Sequence, residues 1–155
     1  MSSQTSGALI PHDSGESVDV LGLKMIFRVT KEMTGGAYSL LTNIAQPGDA
    51  GVPMHTHRDD HETMIVQRGR IVCRVGDETF SAGPGDIVHL PAGIPHGWRS
   101  DSDNEVEMLV IFSLTPDTDY ERMFRALAGV PAEEPETQRT LAANGMHQSL
   151  PPEFI

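Results

Sequence analysis

A single cysteine, Cys73, stands in 155 residues, so no disulfide can form within the chain. Nothing in that usage points to an oxidising compartment. Basic residues are scarce: 11 Lys and Arg against 22 Asp and Glu leave a net charge of −11. Such a field repels phosphate backbones and anionic lipid surfaces, which argues against nucleic acid or a membrane as partner. Aromatic residues make up only 5%. No apolar run approaches the roughly 18 residues of a membrane span. The opening residues, MSSQTSGALIPHDSGES, lack the basic and apolar regions of a secretory leader. A cytoplasmic location is the resulting expectation. The length suits one domain with a core of its own.

Glycine and proline, by contrast, are plentiful, and they punctuate the chain. Residues 1–17 are rich in Ser, Gly and Thr and are expected to form a loose N-terminal arm. From residue 18 to residue 115, short β-rich segments recur between Gly/Pro turns. They are Val18–Thr30, broken at Leu21–Gly22, then Ala37–Ala45, Met54–His57, His61–Arg68, Ile71–Val75, Glu78–Ala82, Asp86–Leu90, His96–Arg99 and Glu105–Leu114. Short strands at this rhythm, without helices between them, indicate an all-β sandwich or barrel and exclude a parallel α/β sheet.

The character changes over residues 116–155, read as a helical and irregular C-terminal extension. Tyr120, Met123, Phe124 and Leu127 recur at helical spacing, with Thr118 or Asp119 as cap and Gly129 and Pro131 as stop. A second short helix is expected over Thr137–Asn144, ended by Gly145. The last residues, SLPPEFI, read as irregular. The helices are expected to cover an outer face or an open end of the barrel, as packing rather than as chemistry.

The chemistry concentrates between Gly48 and Gly69. His55 and His57, two apart on a strand, share a face. Glu62 follows after the Arg58–Asp59–Asp60 loop and can return to that face from the next strand. His96 comes from a further strand, after the turns at Pro91–Ala92–Gly93 and Ile94–Pro95. Three imidazoles and one carboxylate suit a single divalent transition metal: Fe, Mn, Ni, Co, Cu or Zn. His61 has the opposite parity to Glu62 and is expected to point away. His89 is left open by its position. His12 and His147 lie in expected tails and read as solvated, as do Asp59 and Asp60, although a bond to a ligand histidine is open to the latter pair. Trp98, on the parity of His96, reads as core more than lid. Cys73, among Ile71, Val72 and Val75, reads as a buried, inert thiol.

These stretches resemble the two signature motifs of the cupin superfamily. The first matches as His55-x-His57, four residues, Glu62, six residues, Gly69; the second as Gly85, five residues, Pro91-x-Gly93, two residues, His96. Gly48 stands one place further from His55 than the pattern has it, and Ser100 replaces a frequent Asn. The segments Pro53–Glu62, Gly83–His96 and Glu121–Arg122–Met123–Phe124 are similar to those of small quercetin dioxygenase-like cupins. The resemblance implies a double-stranded β-helix, or jelly roll, with the metal in the cavity between two antiparallel sheets. It implies a dioxygenase acting on a small organic substrate, phenolic or polyketide-like. In that mechanism His55, His57, Glu62 and His96 hold the metal, and Glu62 also takes a proton from the substrate. A non-redox isomerase, cyclase or lyase using the same ligands is the alternative, and a non-catalytic metal- or ligand-binding cupin the third. Finally, Met108–Leu114 is apolar on both strand faces, which one sandwich cannot fully bury, so a homodimer is expected.

Overall fold

The structure, a computed structural model, describes residues 6–148 and 152–155. Its strands in chain order are β1 (Ser17–Val20), β2 (Leu23–Val29), β3 (Tyr38–Ala45), β4 (Val52–His57), β5 (Glu62–Arg68), β6 (Ile71–Val75), β7 (Glu78–Ala82), β8 (Ile87–Leu90), β9 (His96–Ser100) and β10 (Val106–Ser113). Helices α1 (Tyr120–Leu127) and α2 (Pro135–Ala143) follow, then a last strand, β11 (Met146–Gln148). The strands form a six-stranded sheet, β1-β2-β3-β10-β5-β8, and a five-stranded sheet, β11-β4-β9-β6-β7. Every pairing is antiparallel. Two such sheets face to face make the expected jelly roll.

Alternation along the strands decides what lies between the sheets. On β10, Val106, Met108, Val110 and Phe112 are buried, while Leu109, Ile111 and Ser113 are half-exposed on the outer face. Register carries this division across the sheet. Met108 lies opposite Asn43 and Val66, Val110 opposite Leu41 and Met64, and Phe112 opposite Ser39 and Glu62. The inner face is therefore mostly apolar, and Met64, Val66, Ile71, Cys73, Met108 and Val106 are all but inaccessible. Each large side chain so buried contributes about 1.5–3 kcal/mol.

Strand ends shift by one or two residues from expectation, as hydrogen-bonding partners rather than propensity decide them. Two differences are larger. Residues Met146–Gln148, expected as tail, pair with β4 as its edge partner, with Gln148 opposite His55. Three residues carry too little pattern to announce a strand; the exposed edge of β4 makes it one. The N-terminal arm is tied down where it is described. Arg28 donates to the carbonyls of Pro11, His12 and Ser14, and Phe27 N–H donates to Glu16 at 2.9 Å. Residues 1–5 of that arm, and 149–151 of the irregular C-terminal segment, lie outside the described residues.

Helix α1 begins at Asp119, whose carboxylate accepts from Arg122 N–H at 2.9 Å. Tyr120, Met123, Phe124 and Leu127 are buried as the spacing requires. Glu121 is buried too, because Ser39 Oγ donates to it at 2.7 Å. The helices close an end of the barrel, with Phe124, Leu127 and Leu141 in the wall of its cavity. Among the described residues no helix is long and apolar enough to cross a membrane.

Candidate metal centre

Strands β4, β5 and β9 bring His55, His57, Glu62 and His96 together. All four are buried, and one ligand atom from each lies within 4.8 Å of the others. A register shift between Val52 and His55, where β4 meets β9, sets His55 opposite His96. That close crossing depends on two glycines. A Cβ at Gly51, whose φ is +72°, would stand 2.0 Å from the Trp98 carbonyl oxygen, and one at Gly97 2.9 Å from that of Val52. Gly48 meets nothing of the kind. Gly51 is the glycine that the motif's packing needs.

The outer nitrogens fix the tautomers. His55 Nδ1–H donates to the Pro53 carbonyl at 2.8 Å, and His96 Nδ1–H to that of Ile94 at 3.0 Å. Carbonyls only accept, so these protons sit on Nδ1. His57 Nδ1 lies 2.7 Å from the hydroxyl of Tyr120, which in turn donates to Asp60 Oδ2 at 2.9 Å. The hydroxyl's one proton is spent on Asp60, so it accepts from His57. All three Nε2 lone pairs then face inward. His55 Nε2 and His57 Nε2 are 3.0 Å apart, and Glu62 Oε2 is 3.3 Å from His96 Nε2 and 3.4 Å from His57 Nε2.

Four converging acceptors repel one another unless a cation lies among them. Burial, reinforced by its neighbours' charge, pushes His55 down to about 3, and burial pushes His57 down to about 4, so neither is cationic at neutral pH. Burial weighs most on Glu62 and would raise it. The imidazoles around it, His96 first, outweigh that by favouring its anion, so its carboxyl stays below its ordinary value. Burial likewise opposes protonation of His96, but Glu62 prevails and raises it. The donor set fits a divalent transition metal, which these four residues could hold.

Other expected positions sort as follows. His61 is exposed, accepts from Ala92 N–H at 3.1 Å and stacks on His89 with centroids 5.7 Å apart, outside the cluster. His89, which its position in the sequence left open, faces outward. His147 is exposed, and His12 is exposed with its Nε2 at 3.1 Å from Glu107. Cys73 is buried, and burial pushes its thiol up to about 12. Trp98 is 2% exposed and lines the cavity, so it is both core and wall. Asp59 is solvated as expected, paired with Arg58, but Asp60 is not: it is 2% exposed. The loop turns it inward to the Tyr120 hydroxyl. Tyr120, expected only to pack, is thus the link between Asp60 and His57. Its ring also lies parallel to Phe112, with centroids 4.0 Å apart. Helical spacing reveals a buried face, not where a hydroxyl on that face will end.

The cluster lies at one part of a cavity whose empty volume is about 740 Å³, counting its open mouth. His55, His57 and Glu62 line it, and most of the remaining wall is apolar: Leu23, Met25, Leu41, Val110, Phe124, Leu127 and others. Leu21, the one described non-glycine residue with positive φ (52°), contributes from the tip of the β1–β2 hairpin.

Comparison with known proteins agrees with this geometry. The family described as Cupin domain, of the Cupin_2 type, matches residues 44–112. Over 69 residues the chain is 33% identical to the quercetin 2,3-dioxygenase of Bacillus subtilis, covering 44% of this chain and only 20% of that enzyme's length. An uncharacterized protein of Streptomyces coelicolor is 32% identical over 94 residues, 59% of this chain and 80% of that protein. Among solved structures, KdgF from Halomonas sp. superposes with a TM-score of 0.63 at 18% identity, covering 72% of this chain and 97% of that one. The ligand spacing, the jelly roll and these likenesses lead to one conclusion: the chain belongs to the cupin superfamily.

Proposed function

We propose that this protein is a metal-dependent dioxygenase acting on a small organic substrate, phenolic or polyketide-like. The observation that carries the reading is the meeting of the four-residue cluster with a largely apolar cavity. The likeness to part of a quercetin 2,3-dioxygenase supports it. His55, His57, Glu62 and His96 would hold the metal, which when bound supplies Lewis acidity and redox chemistry toward dioxygen. Both oxygen atoms enter the product, so dioxygen is the oxidant and no external reductant is needed.

The chain's own residues account for binding and proton handling. The apolar wall removes a ring-bearing substrate from water. Glu62, held ionised at neutral pH and lining the cavity, is placed to accept the proton of a substrate hydroxyl. Tyr120 and Asp60 keep His57 in the tautomer that turns Nε2 inward.

An oxygen-electrode screen of the metal-analysed protein against phenolic and polyketide-like compounds tests the reading. Dioxygen uptake in step with product formation supports it. Turnover without dioxygen uptake replaces it with the non-redox isomerase, cyclase or lyase.

The same reading includes a homodimer and a cytoplasmic location. In favour of the dimer, Ile26, Leu40, Leu109, Ile111, Ile65 and Ile87 share the outer face of the six-stranded sheet, and Ile87 is 65% exposed. A second copy of that face is the occupant proposed. Light scattering coupled to size exclusion checks this, and a monomer refutes it. The single, buried cysteine accords with a reducing cytoplasm.

A further inference from the structure

We propose that Asn43 and Gln148 are specificity residues that read the two ends of an elongated, mainly apolar substrate bearing oxygen at both ends. The inference rests on this cavity being the substrate site, and it adds the substrate's shape and polarity to that reading.

Both amides line the cavity, whose wall away from His55, His57 and Glu62 is otherwise mostly apolar. Asn43 is 5% exposed, on the inward face of β3, and among the described residues its Oδ1 has no hydrogen-bond partner. Gln148 Nε2 is likewise buried and without a partner there. Buried polar atoms are nearly always hydrogen-bonded, so two orphans on residues that line one cavity mark where a ligand's polar atoms go.

Their positions differ. Gln148 lies opposite His55 in the β11–β4 pairing, beside the cluster. Asn43 is remote from it. In the six-stranded sheet Glu62 lies level with Phe112 and Ser39, whereas Asn43 lies level with Met108, four residues further along. Four residues of strand are about 13 Å. Allowing about 3 Å for a hydrogen bond at Asn43 leaves about 10 Å for the ligand between its two oxygens. The chemistry of each end follows. A donor hydroxyl satisfies Asn43 Oδ1, and an accepting oxygen near the cluster satisfies Gln148 Nε2. A body two rings long, with its long axis along β3 and β10, matches the apolar wall between them.

Two probes differ only at the remote end: 4,4′-dihydroxybiphenyl and 4-phenylphenol. Trp98, the one tryptophan, lines the cavity and reports binding to the intact protein by its fluorescence. The diol should bind about tenfold more tightly than the mono-ol. Asn43→Leu, of similar volume, should abolish that preference and bring the two probes to similar affinity. Gln148→Met should weaken both probes alike and keep the preference. Equal affinities of the unaltered protein for the two probes, or no binding of either, overturn the inference without any variant having to fold. A preference that survives Asn43→Leu overturns the role of Asn43. Selective binding of the diol with no dioxygen uptake on any compound leaves these roles standing and removes only the dioxygenase reading.

Discussion

The cavity has two walls of different origin. Strands β4, β5 and β9 supply the cluster, in which the outer nitrogens of His55 and His96 are anchored to the backbone of their own segments, through Pro53 and Ile94. The C-terminal segment supplies Phe124, Leu127, Leu141, Met146 and Gln148, and, with Tyr120, a side-chain anchor of His57. The strand wall thus carries its geometry locally, while the C-terminal wall shapes the space and completes His57 from 63 residues away. The cluster and much of the space beside it come from separable parts of the chain, and substitutions in the two should fail differently.

The largest effect belongs to the strand wall. His57→Ala and His96→Ala should lose nearly all bound metal by elemental analysis, while His61→Ala should keep it. Metal loss in His61→Ala would break the assignment of ligands. Next comes the one place where the walls meet. Tyr120→Phe removes the hydroxyl between His57 and Asp60, and metal affinity should fall about 10- to 100-fold in a chelator competition. An unchanged affinity would reduce Tyr120 to packing. A change confined to the C-terminal wall should spare the metal. Leu127→Ala should cost stability near the low end of about 2–5 kcal/mol, since one side of Leu127 already faces the cavity. Denaturant unfolding measures that cost, and metal content should stay at the unaltered level. Smallest is a null result beside the strand wall: Cys73 on β6, the neighbour of β9, is buried with its thiol raised to about 12 and should resist iodoacetamide in the native protein and react on unfolding.

Much of the strand wall was readable beforehand because its information is local. His55 and His57 share a face by strand parity, Glu62 is returned by the short polar loop Arg58–Asp59–Asp60, and His96 by turns whose Gly and Pro residues announce them. Helix α1 was readable for the same reason, from spacing and the Asp119 cap. Asp60 was not, since polar loop residues beside Asp59 and Arg58 ordinarily face water. Its burial depends on a tyrosine 60 residues later. Strand β11 was not readable either, because three residues have no periodicity of their own and take their conformation from the free edge of β4.

Residue order alone therefore determined the jelly roll's strands, the turns between them and the identity of the four clustered side chains, because alternation and turn chemistry act over a few residues. Only the tertiary structure decided that Tyr120 and Asp60 support His57, that the C-terminal segment walls the cavity, and that Asn43 and Gln148 line it with one side-chain atom each unpaired among the described residues. Each of those depends on which distant segments meet, and burial and hydrogen bonding across such distances are properties of the packed fold.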